Sequence, residues 1–296
     1  RSKVVVFPSS GTGAWEAALV NTLSAGDRVL MCETGHFARL WYGIAERLGL
    51  DPQLLPGDWR HPADPLAIGE ALANDVGHLI KAVCVVHNET STGAMSDVAA
   101  VRAVIDEQRH PALLMVDTIS SLASIDFRHD EWGVDVTVGG SQKGLMLPPG
   151  LGFNAVSDKA LSASLNATLP RAYWNWQDML DANSNGFFPY TPATNLLYGL
   201  REALSMLLDE GLENVFERHR RLAEATRCAV ATWQLELLCL DSAARSHSLT
   251  AVQLPEGVDA DAFRATVLAR YNMSLGNGLG RLAGRALRLG HLGAFN

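Results

Sequence analysis

The chain of 296 residues carries a net charge of −8, with 48% hydrophobic and 19% charged residues, an ordinary globular balance. Its length supports one large and one smaller domain, each with a substantial core. No basic block stands out, which argues against a nucleic-acid surface, and no run of about 18 apolar residues is present to cross a membrane.

The N-terminal RSKVVVFPSS has neither a long apolar stretch nor a cleavage site, so it does not read as a secretory signal. It enters a strand over Val4–Phe7 almost at once, an abruptness that leads us to expect missing residues ahead of it. Ser9-Ser10-Gly11-Thr12-Gly13 follows, before a helix over Trp15–Ser24. Small residues there let backbone N–H groups approach a phosphate, and the helix start adds favourable partial charge. A plain strand–helix turn has the same composition, and no Gly-Lys-Ser/Thr follows to make a Walker loop. Strands at Arg28–Cys32, Pro52–Leu55 and Ile80–Val86 come next, with helices at Phe37–Leu48 and Pro65–Asn74 between them. Cys32 and Cys84 lie in apolar strand runs, and the four cysteines, with Cys228 and Cys239, lack metal-type spacing. Cys32 and Cys84 read as buried free thiols, which suits a reducing cytoplasm. His87-Asn88-Glu89-Thr90-Ser91-Thr92-Gly93 closes the fourth strand with hydroxyl and amide groups, and Ser96 and Asp97 cap a helix over Val98–Arg109.

The strand Leu113–Val116 ends at Asp117, and the strand Val134–Val138 runs into GGSQKGLMLPPG, residues 139–150, with Lys143 at its centre. A final strand covers Leu151–Val156. Most of these strands are apolar on both faces, as in a mainly parallel sheet covered by helices on both sides. Ligands of such sheets collect at the carboxyl ends of the strands, where these motifs fall. Alone, Lys143 reads as a surface lysine in a polar turn. Asp117 changes that reading. A lysine nucleophile wants a rigid, partly desolvated loop, because the free amine attacks a carbonyl. A carboxylate at the preceding strand end suits pyridoxal phosphate, with the lysine forming the Schiff base and the acid keeping the pyridine nitrogen protonated.

After residue 157 the pattern changes. Residues 171–190 are rich in aromatics, including Trp174, Trp176, Phe187, Phe188 and Tyr190, which suit an interface or substrate channel or else pack within one chain. A helix over Thr194–Asp209 leads to a second region, with a helix at Leu212–Leu235 and strands at Ser248–Leu254 and Ala286–Leu289. We therefore expect a large domain over 1–195 and a small α+β domain over 196–296, without repeats or flexible linkers.

Ser10-Gly11-Thr12, HNETSTG, VDTISSL, GSQKGLMLPPG, YTPATNLLYGLREAL (190–204) and LRLGHLG (287–293) stand in the order and spacing of one family. Over nearly the whole chain the sequence resembles the class V aminotransferases of fold type I, in particular the serine–glyoxylate and alanine–glyoxylate enzymes, whose relatives include an aspartate–glyoxylate enzyme. The resemblance implies that Lys143 carries pyridoxal 5'-phosphate and that Asp117 pairs with its pyridine nitrogen. It implies that Thr90 bonds the phenolic oxygen, and that Ser10, Gly11, Thr12 and Gln142 hold the phosphate. Phe37, or His36 if the alignment slips by one position, would stack on the ring, with Ile119 on the other face. Thr191 would reach the phosphate of a partner subunit, which implies at least a homodimer. Arg288 would take the α-carboxylate of substrate, a role its planar guanidinium suits. His291 reads as a structural neighbour. Family members have a segment before this first strand and continue past Asn296, so both ends are expected to be incomplete here.

The reading is transfer of an amino group from an L-amino acid, serine first and alanine or aspartate as alternatives, to glyoxylate. A class V cysteine desulfurase is the enzymatic rival, but it has a histidine where Gln142 precedes the lysine, and it needs a thiol in a mobile loop. A non-catalytic Rossmann-type phosphate-binding domain is the rival of another class. Glu16 stands at its third glycine position, and Lys143 and Asp117 would be idle.

Overall fold

The computed structural model describes residues 2–294. The chain runs β1 (Lys3–Ser9), α1 (Gly11–Thr22), β2 (Arg28–Cys32), α2 (His36–Arg47), β3 (Asp51–Leu55), α3 (Pro65–Asn74) and β4 (Ile80–Val86). A two-stranded hairpin follows, β5 (Asn88–Glu89) and β6 (Ala94–Met95), then α4 (Val98–Glu107), β7 (Leu113–Asp117), β8 (Val136–Gly140) and β9 (Gly150–Val156). Local chemistry sets several of these boundaries. Asp64 accepts from Leu66 N ahead of Pro65, and Asp97 accepts from Ala100 N, each satisfying an N–H that the helix start leaves free.

Seven strands form one sheet in the order β1-β9-β8-β7-β4-β2-β3. Strands β3, β2, β4, β7 and β8 pair parallel, and only β9 runs against its neighbours. One face packs on α1, α2 and α6 (Trp176–Ser184) around Phe7, Leu19, Trp41, Met115 and Trp176. The other packs on α3 and α4 around Ile68, Val83, Ile105 and Leu114. The reversal into β9 places the lysine loop. The sequence pattern puts the preceding strand at Val134–Val138, whereas β8 lies at Val136–Gly140, because Gly139 and Gly140 pair with Phe153 and Gly152 of β9. Pairing through these two glycines carries the sheet to within three residues of Lys143.

After α5 (Asp158–Ser164) and α6, the long helices α7 (Thr194–Glu210) and α8 (Leu212–Thr232) lead to an antiparallel sheet of β10 (Glu236–Leu237), β11 (Leu249–Gln253), β12 (Gly276–Asn277) and β13 (Ala286–Gly290), with α9 (Ala260–Tyr271) against it. Ala203 and Leu207 of α7 pack with Leu145, Leu147, Leu151 and Phe153, so this helix bears directly on the lysine loop. The aromatic segment packs largely within the chain. Trp176 is fully buried, and Tyr173 and Tyr190 stack at 4.4 Å, while Phe187 stays exposed. Among the described residues no helix is long and apolar enough to cross a membrane.

Candidate active site

Asp117 ends β7 in the middle of the sheet and is buried. Its Oδ1 accepts from Ile119 N at 2.7 Å and its Oδ2 from Trp15 Nε1 at 3.2 Å. Burial pushes its carboxyl up to about 7; the Ile119 N–H opposes this, the Glu89 charge adds to it, and the Trp15 donor and the Lys143 charge oppose it. A buried carboxylate with two N–H donors and, among the described residues, no ion-pair partner is a place where a cation is favoured.

Lys143 is half-buried on the loop between β8 and β9. Ser141 Oγ donates to Pro148 O at 2.8 Å and accepts from Leu151 N at 3.1 Å, closing the base of the loop. Met146 N donates to Lys143 O at 2.9 Å. A side chain at Gly144 would run into Leu122 O and Ser124 Oγ, so the turn needs glycine there. Burial, with the Arg288 charge second, lowers the Lys143 ammonium below the ordinary lysine range, and Asp117 opposes them. Both effects favour the free amine.

Arg288, on β13, comes from the small sheet to the same place. Its Nε donates to Asn277 O at 2.8 Å and its Nη1 to Thr90 O at 3.3 Å. Thr90 Oγ1 donates to Ser120 Oγ at 2.9 Å, and Ser120 Oγ donates to Asn88 O at 2.8 Å. Phe37 lies in the first turn of α2, its ring 6.4 Å from that of Trp15, the partner of Asp117. The His36 ring lies 5.6 Å from that of Phe37 and 6.5 Å from that of Trp59, with Gly280 beside it.

At the neighbouring edge, Ser10 caps α1 and accepts from Gly13 N at 3.4 Å. An added Cβ at Gly11 would collide with Ile119 Cδ1, and one at Gly140 would lie 3.1 Å from Gln142 Oε1 and 3.6 Å from Gly11 N. Ile119, Gln142 and the first turn of α1 therefore share one small space. Gln142 Oε1 is buried without a hydrogen-bond partner among the described residues. Thr12 is exposed on the same turn. The structure thus gathers Asp117, Lys143, Thr90, Phe37 and Arg288 around one centre, with Ser10, Gly11, Gln142 and Ile119 beside it. Thr191 is not among them; it is exposed ahead of α7. His291 lies buried under the small sheet, its Nε2 3.0 Å from Thr250 Oγ1.

Sequence reasoning passes over Trp15, Ser120 and Glu89. Trp15 offers a faint signal, a large ring one turn after the glycine-rich segment. Ser120 lies three residues past Asp117, and Glu89 is a carboxyl inside an otherwise neutral polar turn. Three of the four cysteines are buried. Burial pushes the thiols of Cys32 and Cys239 up to about 12 and about 11 and raises that of Cys84 well above its ordinary value, while Cys228 is exposed on α8.

A family model described as aminotransferase class V matches residues 1–281. The serine–glyoxylate aminotransferase of Hyphomicrobium methylovorum is 51% identical over 296 residues, covering 99% of this chain and 73% of that protein. The L-aspartate–glyoxylate aminotransferase of Paracoccus denitrificans is 46% identical over 295 residues, covering 100% of this chain and 74% of that one. Among solved structures, the alanine–glyoxylate aminotransferase from Nostoc sp. matches with a TM-score of 0.91 at 31% identity, covering 98% of this chain and 76% of that one.

Proposed function

The chain belongs to the class V aminotransferases, with the fold type I architecture, and on that premise we propose that it uses pyridoxal 5'-phosphate to transfer the amino group of an L-amino acid, serine first, to glyoxylate. The products would be glycine and hydroxypyruvate. One observation carries the reading: Asp117 and Lys143, from adjacent strand ends, meet in one partly buried site with Arg288 from the small sheet.

The residues fit the cofactor. The buried Asp117 carboxylate suits a pyridinium cation. The buried Gln142 side-chain oxygen, unpartnered among the described residues, and the N–H groups at the start of α1 suit a phosphate, with the Gln142 amide turned to present Nε2. When bound, the cofactor supplies an electron sink for the carbanion formed at the substrate Cα.

The chain's own groups do the rest. Asp117 holds a proton at the pyridine nitrogen. Arg288 binds the substrate carboxylate and orients the Cα. Lys143, with its amine favoured in the neutral form, takes the proton from Cα and returns it across the site. Thr90 would hold the cofactor ring through its hydroxyl, and Phe37 and Ile119 would pack against it. We assign these tasks to a large domain over 1–195 that holds the cofactor and a small domain over 196–296 that brings Arg288. We assign Thr191, exposed ahead of α7, to the phosphate of a second copy's site, and with it a working form that is at least a homodimer. The buried thiols of Cys32 and Cys84 suit a reducing cytoplasm.

Borohydride reduction of protein loaded with pyridoxal 5'-phosphate, followed by peptide mapping, tests the anchor: the pyridoxyl group should sit on Lys143. Half-reactions with serine, alanine and aspartate, each followed by glyoxylate, then rank the donors, with serine expected fastest. A label elsewhere, or no transfer to glyoxylate from any donor, would overturn the reading.

A further inference from the structure

Glu89 is fully buried in the turn after β4, and none of the tasks above uses it. Its carboxylate accepts four hydrogen bonds. They come from Phe37 N at 3.4 Å, Ala38 N at 3.1 Å, Ser91 N at 3.0 Å and Ser91 Oγ at 2.7 Å. Ser91 Oγ also accepts from His36 N at 2.9 Å. Gly35, the residue before helix α2, has no side chain to cap it. Its free N–H groups are met instead by a carboxylate and a hydroxyl from a turn far along the chain. A side chain at Gly35 would collide with Glu89 Cγ and Ser91 Oγ, so glycine there is the condition for this docking. Burial raises the carboxyl above its ordinary carboxylate range, and all four donors oppose that rise by favouring the ionised form.

This carboxylate stands where three parts of the site meet. Phe37 rides on the helix it caps. Thr90 is its neighbour in the chain, and the Thr90 carbonyl accepts from Arg288 Nη1. Its charge also favours the protonated form of Arg288 and raises the proton affinity of Asp117.

We propose that Glu89 is a positioning residue. By capping α2 from the turn that carries Thr90, it fixes the Phe37 ring and the Thr90 hydroxyl in one geometry, and so sets how the cofactor is held. This rests on the pyridoxal-phosphate reading above. A residue that served only folding would alter stability and leave the seating of a bound cofactor unchanged.

The test uses the full chain with Glu89→Gln and Ser91→Ala, each titrated as cofactor-free protein with pyridoxal 5'-phosphate. The glutamine keeps the shape but sets an amide N–H₂ against backbone N–H donors. The alanine keeps the carboxylate and removes the hydroxyl that steadies it. Glu89→Gln should weaken cofactor binding roughly tenfold, the scale of a lost helix cap, and should reduce the visible circular dichroism of bound cofactor. Ser91→Ala should move both readouts the same way by less, and it decides the matter if Glu89→Gln does not fold. Unchanged affinity and dichroism in both variants, with only a lower melting temperature, overturn the role of Glu89. If the parent protein itself takes up no cofactor on Lys143, the wider reading falls first and this one with it.

Discussion

Trp15 Nε1 donates to Asp117 Oδ2 at 3.2 Å, tying the first helix to the end of a central strand. The indole is itself stacked on Trp41 at 5.9 Å, with an interplanar angle of 11°. The orientation of Asp117 is therefore tied to the hydrophobic core on one oxygen and to Ile119 N on the other.

Asp117 should give the cofactor-free protein a distinctive pH dependence. Its folded pKa of about 7 lies above the ordinary 3.8, so the folded state binds more protons than the unfolded state between those values. Stability attributable to Asp117 is thus present below about 3.8 and is lost as pH rises through about 7. Buried His87 and His291, both held down to about 4, act with the opposite sign up to their ordinary 6.5. Comparison with Asp117→Asn removes their contribution. Melting curves from pH 4 to 8 should show the parent losing stability relative to Asp117→Asn as pH rises, and a constant difference would refute this.

Lys143→Ala should fold normally, since the loop is closed by Ser141 and the turn at Gly144 rather than by the amine. Loss of general-base catalysis alone lowers turnover by about 10²–10⁴-fold, and the covalent anchor disappears with it. Far-ultraviolet circular dichroism and turnover, measured together, check this. Turnover within about tenfold of the parent would remove Lys143 from its assigned role.

Gly11→Ala should strain the phosphate end of the site, because the new methyl enters the space held by Ile119 Cδ1. Overpacking of this kind costs about 1–3 kcal/mol. Ile119→Ala on the same background should restore part of the melting temperature and of the cofactor affinity. A double-mutant cycle measures the coupling, and strictly additive effects would show that the two residues do not compete for one space.

Arg288→Lys should fail to replace arginine, because one ammonium cannot pair a carboxylate bidentately. Loss of such a pair costs about 2–5 kcal/mol, so kcat/KM should fall roughly 30-fold or more for both amino donor and glyoxylate. Cofactor loading should stay close to that of the parent, as the guanidinium touches Thr90 only through its backbone oxygen. Unchanged steady-state kinetics for both substrates would place the carboxylate elsewhere.

What the sequence determined by itself is local. The apolar strand runs, the capping residues Asp64 and Asp97, the small-residue turn after β1 and the lysine loop are all set by forces acting over a few residues. Asp117 and Lys143 were legible because each sits at a strand end, where side-chain chemistry is not needed for packing. The tertiary structure decided what those residues touch. Trp15 reaches Asp117, Glu89 caps the helix of Phe37, and Arg288 crosses to the Thr90 carbonyl, with sequence separations of 102, 52 and 198 residues. Such contacts follow from the strand order and from the packing of the small sheet on the large one, neither of which leaves a periodic trace in the chain. The two-residue displacement of β8 has the same origin, since its glycines join the sheet only because β9 turns back to pair with them.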